Sequence, residues 1–125
     1  MSFKYPLLDD AFSKDDINSA IKVVRSKRIT MGTKTLNFQK KFGKFINSKY
    51  CLMVNSGSSA NLLAFFALIN PQKKNKLKKG DECLVPAVCW STSLWPIYQC
   101  GLSPKFIDVD KKTFSINLDT IKKKY

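Results

Sequence analysis

Apolar residues recur at helical spacing through the first third of the chain. Ile17, Ala20, Ile21 and Val24 fall three and four apart, which lays them along one stripe of an α-helix. Ser13-Lys14-Asp15-Asp16 ahead of them reads as a capping box, and the helix is expected to stop near Lys27-Arg28, whose charges complement its negative end. Ile29 to Lys34, with Gly32 inside, reads as a loop. A second helix follows, with Phe38, Phe42, Phe45 and Ile46 on one face and Asn47-Ser48 ending it.

From Tyr50 the pattern changes to short apolar runs separated by helical segments. Tyr50-Cys51-Leu52-Met53-Val54 reads as a buried strand that reaches Asn55, and an Ala/Leu/Phe helix follows from about Ser59 to Ile69. The polar stretch 70–81 is a surface excursion, and 82–86 is a second buried strand. A helix is predicted over 93–99, with Ser93 as N-cap, Pro96 in its first turn and Gly101 as its C-terminal cap. Residues 105–109 read as a third strand, 111–116 as an irregular link, and a last helix starts near Leu118-Asp119 and still runs at Tyr125. Strands alternating with helices imply βαβ units, so the fold class is α/β with a mostly parallel sheet and flanking helices. Three strands are fewer than a covered parallel sheet has, and the chain reads as the front portion of a larger domain.

Composition narrows the class. At 125 residues the chain is one domain at most, and 44% hydrophobic with 12% aromatic residues suffices for a core. No apolar run is long enough to cross a bilayer, and Met1-Ser2-Phe3-Lys4-Tyr5-Pro6 lacks the layout of a signal peptide, so the cytoplasm is the expected location. Cys51, Cys83, Cys89 and Cys100 form no CxxC pair and suggest buried, reduced thiols rather than a metal site. With no histidine present, a Ser-His-Asp or Cys-His relay is excluded within these residues. The net charge of +13 raises a polyanion partner, but the lysines scatter over polar helix faces and one loop, 73–79, and read as solvated surface.

Three clusters lie at predicted strand ends, where open α/β sheets gather ligands: 55–59, 86–90 and 108–110. Asn55-Ser56-Gly57-Ser58-Ser59 stands between a strand and a helix, so backbone N–H groups and two hydroxyls meet the positive end of a helix dipole. That arrangement suits a phosphate group, although neither the GK[ST] ending nor the GxGxxG spacing is present. The competing reading is that Ser58 or Ser59 only caps the helix. Trp90 stands where it could stack on an aromatic cofactor ring or pack into a core, and Trp95, on the helix, reads as core or interface. Asp108 and Asp110 read as part of a solvated turn with Lys111 and Lys112.

Taken in order, several stretches resemble the N-terminal part of the DegT/StrS family of nucleotide-sugar aminotransferases. They are Thr30-Met31-Gly32 with the Phe38–Phe45 helix, Val54-Asn55-Ser56-Gly57-Ser58-Ser59-Ala60, Gly80-Asp81-Glu82-Cys83-Leu84-Val85-Pro86-Ala87 with Trp90, and Gly101-Leu102-Ser103-Pro104-Lys105-Phe106-Ile107-Asp108-Val109-Asp110. The resemblance implies the N-terminal portion of a type I fold large domain that binds pyridoxal 5'-phosphate (PLP). Gly57, Ser58 and Ser59 would hold the cofactor phosphate and Trp90 would stack on its ring. Residues 1–48 would be an N-terminal helical segment and 49–125 an incomplete PLP-binding large domain. The implied reaction moves an amino group, usually from glutamate, to a keto group on a nucleotide-linked deoxysugar for polysaccharide or lipopolysaccharide biosynthesis, in a homodimer. A branch of the family instead performs 3-dehydration of a CDP-4-keto-6-deoxyhexose, with histidine in place of the Schiff-base lysine. The Asn55–Ala64 wording and the long 70–79 loop resemble that branch somewhat more.

The Schiff-base residue and the carboxylate that protonates the pyridine do not match any motif here, and Lys122 to Lys124 read as an exposed helix face. The expectation is a chain with cofactor-binding residues but no catalytic residue, inactive alone as a transaminase. Two readings from other classes stand beside it: a basic nucleic-acid-binding domain, which no recognisable nucleic-acid fold supports, and a non-catalytic remnant that pairs with a full-length homologue.

Overall fold

The computed structural model of the chain describes Leu8 and residues 10–124. The chain divides into two compact units, Met1–Met53 and Val54–Tyr125.

In the first unit, α1 spans Lys14–Arg25 and α2 spans Thr33–Phe45. The capping box forms as the sequence predicts: the Ser13 N–H donates to Asp16 Oδ2 at 2.9 Å, and the Asp16 N–H donates to Ser13 Oγ at 3.2 Å. The helix ends slightly before the expected basic pair because the Ser26 hydroxyl donates to the Val23 carbonyl at 2.7 Å, and Lys27 turns the backbone with φ +58°. The aromatic stripe of α2 is real: Phe38 and Phe42 stack at 5.5 Å between ring centres, and Phe45 lies 6.4 Å from Phe42.

The strand expected over 50–54 does not form. The bonding there is to side chains: Ser48 Oγ donates to the Tyr50 carbonyl at 2.7 Å, and the Met53 N–H donates to Gln39 Oε1 at 2.9 Å. A strand needs a neighbouring backbone to make a ladder, and the described residues offer this stretch none. Tyr50 and Leu52 stay exposed as a result.

The second unit contains α3 (Gly57–Leu68), β1 (Glu82–Pro86), α4 (Ser91–Gln99), β2 (Ser103–Ile107) and α5 (Leu118–Lys124). The strands β1 and β2 pair in parallel, with Val85 opposite Phe106 and Pro86 opposite Ile107. With α4 between them they make one βαβ unit, so the described sheet has two strands rather than three. Val85, Ile97, Cys100 and Leu102 form the buried cluster, and Leu62, Phe65 and Ile69 of the α3 segment pack on it at three- and four-residue spacing. Leu63 and Phe66 face away and are exposed. Along the strands Val85 and Ile107 are buried, whereas Leu84 and Phe106 are exposed.

Two boundaries differ from the expected ones. The helix α4 starts at Ser91, with Trp90 rather than Ser93 as N-cap, so Pro96 is buried inside the helix and not in its first turn. The third predicted strand, 105–109, divides between β2 and a separate antiparallel bridge of Val109 with Ile116. That bridge closes a turn over 110–115, which overlaps the predicted irregular link of 111–116 and takes Ile116 out of it. Gly101 does end α4: its φ is +72°, its N–H donates to the Tyr98 carbonyl at 2.9 Å, and the next N–H, of Leu102, donates to Ile97 at 2.9 Å. The end of the last predicted helix at Tyr125 lies outside the described residues.

Candidate functional site

The start of α3 is built from Ser56. Its backbone is extended (φ −160°, ψ 162°), its Oγ accepts the Ser59 N–H at 3.1 Å, and its carbonyl accepts the Ala60 N–H at 3.0 Å. The cap is therefore Ser56, not Ser58 or Ser59. The Ser56 hydroxyl lies 3.2 Å from Ser59 Oγ, which leaves the Ser59 proton free to donate outward. The Gly57 and Ser58 N–H groups, in the first turn, have no acceptor among the described residues.

Gly57 has no internal reason to be glycine. Its φ is not positive, and a Cβ built on it meets nothing within 4 Å. Open space beside two unpaired N–H groups at a helix start is what an approaching anion requires. Ser58 is exposed and Ser59 half-buried, so one hydroxyl is fully in solvent and the other sits against the protein.

Trp90 stands four residues past the last residue of β1, at the carboxyl edge of the parallel pair. That edge is held by the Ala87 N–H, which donates to the Ile107 carbonyl at 2.8 Å. The indole is 77% exposed, so Trp90 is not core, and its backbone carbonyl accepts the Ser93 N–H at 2.8 Å. Trp95 is exposed as well, 6.3 Å from the Tyr98 ring, so of its two readings, core or interface, the core one does not hold.

The first turns of α3 and α4 lie side by side. Asn61 Nδ2 donates to the Thr92 carbonyl at 3.1 Å. Beside this bond is a cleft of about 260 Å³ lined by Ser58, Ser59, Leu62, Thr92, Trp95, Pro96 and Gln99. Two of the three predicted clusters are thereby carried on neighbouring helix starts. Asn61 and Thr92 were not singled out from sequence. The signal was present: a proline four residues after Thr92 leaves that carbonyl without its helical donor.

The third cluster is structural. Asp110 Oδ1 accepts the Lys112 N–H at 2.9 Å, the Thr113 N–H at 3.0 Å and the Thr113 hydroxyl at 3.3 Å. The Thr113 and then the Lys112 backbone bonds hold the Asp110 carboxyl below the ordinary carboxylate range. This is the solvated turn the sequence suggests. Among the described residues no group of His, Cys, Asp or Glu could hold a metal, and all four cysteines are free. They are not uniformly buried, as the sequence had implied: Cys100 is buried, Cys51 and Cys83 are intermediate, and Cys89 is exposed. No helix among the described residues is long and apolar enough to cross a membrane.

The sequence profile of the DegT/DnrJ/EryC1/StrS aminotransferase family matches residues 10–124. Among curated relatives, a GDP-4-keto-6-deoxy-D-mannose 3-dehydratase of Yersinia pseudotuberculosis is 43% identical over 118 residues, covering 94% of this chain and 30% of the relative. A dTDP-4-dehydro-2,6-dideoxy-D-glucose 3-dehydratase of Saccharopolyspora spinosa is 36% identical, covering 87% of this chain and 24% of the relative. Among solved structures, the E. coli GDP-4-keto-6-deoxy-D-mannose-3-dehydratase with bound hydrated PLP superposes with a TM-score of 0.87 at 41% identity, over 98% of this chain and 31% of that one. The chain thus spans about a third or less of these relatives' length. It belongs to the DegT/DnrJ/EryC1/StrS aminotransferase family, and its α/β fold is the N-terminal part of theirs.

Proposed function

We propose that this chain binds pyridoxal 5'-phosphate through the start of α3 and Trp90, and serves removal of the 3-hydroxyl from a nucleotide-linked 4-keto-6-deoxyhexose. The observation that carries the reading is the α3 start. Gly57 and Ser58 offer unpaired N–H groups, Ser58 and Ser59 offer hydroxyls, and Gly57 leaves open space in front of them. Those donors at the positive end of a twelve-residue helix fit a phosphate ester. The exposed indole of Trp90 supplies the flat apolar surface on which a pyridine ring stacks.

When bound, the cofactor supplies an aldehyde and an electron-withdrawing ring. The work of this chain's residues is to hold and orient it. Gly57, Ser58 and Ser59 anchor its anionic tail, and Trp90 shields one ring face from water. Residues 1–48 form the helical lead-in and 49–125 the cofactor-binding part of the larger domain. The protein works in the cytoplasm as a homodimer on this reading.

The 3-dehydratase reading rests on the relatives with 36% to 43% identity. Aminotransfer from glutamate to a keto-sugar nucleotide is the second reading, favoured by the family description. Both feed polysaccharide or lipopolysaccharide biosynthesis. Titration with PLP, followed by tryptophan quenching and competed by inorganic phosphate, tests the cofactor site. Tight, phosphate-sensitive binding that Gly57→Val abolishes is the expected result, and PLP binding indifferent to that change overturns it. In the polypeptide that carries this segment, mass analysis of the product separates a 3-deoxy sugar from an amino sugar.

A further inference from the structure

We propose that Asn61 is a positioning residue, which fixes the start of α4, and with it Trp90, against the anion-binding turn of α3. The inference rests on the cofactor reading above and adds to it a residue that touches neither phosphate nor ring.

The argument begins with Pro96. A proline inside a helix has no N–H to give to the carbonyl four residues back, and its ring pushes that carbonyl outward. Here the residue four back is Thr92, and Pro96 is buried in α4, so the proline is held there by packing. The first turn of α4 also lacks a side-chain cap, since Trp90 occupies the N-cap position. A helix start without a cap and without one of its internal bonds is expected to fray. The only described side chain that donates to the Thr92 carbonyl is Asn61, from α3, at 3.1 Å.

The placement of Asn61 gives the bond its consequence. It lies five residues past Ser56, on the same first turns that carry Gly57, Ser58 and Ser59. Thr92 lies two residues past Trp90. One amide therefore links the element that holds the anion to the element that carries the indole. A planar cofactor gripped at its phosphate needs its ring wall at a fixed distance, and this bond sets that distance. Lost geometry of this kind weakens binding of the whole cofactor but not of its anionic part alone.

The test uses the full chain with Trp95→Phe, which leaves Trp90 as the sole tryptophan of the two present. Asn61→Leu removes the donor, and the isosteric Asn61→Asp sets a carboxylate against the carbonyl. Position 61 is exposed, so both variants are expected to fold. Hydrogen exchange over 91–95 is expected to speed up while exchange over 57–60 stays the same. PLP affinity and Trp90 quenching by PLP are expected to fall about tenfold, the scale of one hydrogen bond, with inorganic phosphate affinity unchanged. Unchanged exchange over 91–95 overturns the proposal, and so does faster exchange with unaltered PLP affinity. Equal losses for PLP and phosphate overturn it too, because they mark general damage to α3. A parent chain that binds neither PLP nor phosphate overturns the cofactor reading instead, and the exchange comparison then decides whether Asn61 fixes the helix start.

Discussion

Leu102 donates its N–H to the Ile97 carbonyl at 2.9 Å, and both side chains are almost wholly buried, so one pair ends α4 and anchors the core. Gly101 between them makes the geometry possible. Its φ of +72° is one that side chains with a Cβ rarely adopt, and that Cβ would meet Lys79 Cγ at 3.3 Å. Gly101→Ala is expected to cost about 1–2 kcal/mol in urea denaturation. Gly101→Asn should cost less, since asparagine tolerates the left-handed region.

The cap and the proposed cofactor contact are separable at α3. Ser56→Ala removes the acceptor of the Ser59 N–H and should lower stability by about 1 kcal/mol. Ser58→Ala removes an exposed hydroxyl that caps nothing, and should move stability by less than about 0.5 kcal/mol. The order reverses for PLP on the proposed reading: Ser58→Ala weakens it about tenfold. Thermal melts paired with PLP titrations of both variants check the crossing.

The Asp110 turn is expected to loosen in acid. Its carboxyl is depressed on folding by bonds from Thr113 and Lys112, so its contribution is complete above the unfolded value. It is lost as pH falls through the lower folded value. The amide resonances of Lys112 and Thr113, followed by NMR from neutral to acid, should titrate together below the ordinary aspartate range. Titration of both amides at the ordinary value would contradict the assignment.

Thiol reactivity should rank the cysteines by surroundings. Cys89 is exposed, whereas burial pushes the Cys83 and Cys100 thiols up and so reduces their thiolate. Labelling with a disulfide reagent at mildly alkaline pH is expected to modify Cys89 first and Cys100 last, read by peptide mass analysis.

Local chemistry was legible wherever the signal was self-contained. The Ser13–Asp16 box, the Phe38–Phe42–Phe45 stripe, the 82–86 strand and the Gly101 ending each depend on residues within a few positions, and each formed. Strand 50–54 failed because an apolar run states that a segment can be buried, not which backbone will pair with it. The α4 start failed because Ser93 is a good cap in isolation, yet the cap lies three residues further back, at Trp90. The residues proposed for the site, Gly57, Ser58, Ser59 and Trp90, were read from the sequence. The Asn61–Thr92 bond that brings their helices together was not, since it joins positions 31 apart in sequence.

The parallel pair of β1 and β2 is bonded along one side of each strand, and the other two rims have no ladder among the described residues. Leu84 and Phe106 are both exposed, one on each face of the pair, since Phe106 is in register with Val85 and Leu84 with Lys105. Bare rims of this kind are templates for another extended chain, and greasy side chains beside them strengthen the attraction. Held by itself in solution, the polypeptide should therefore aggregate as concentration rises, and its shelf life will depend on dilution as much as on warmth.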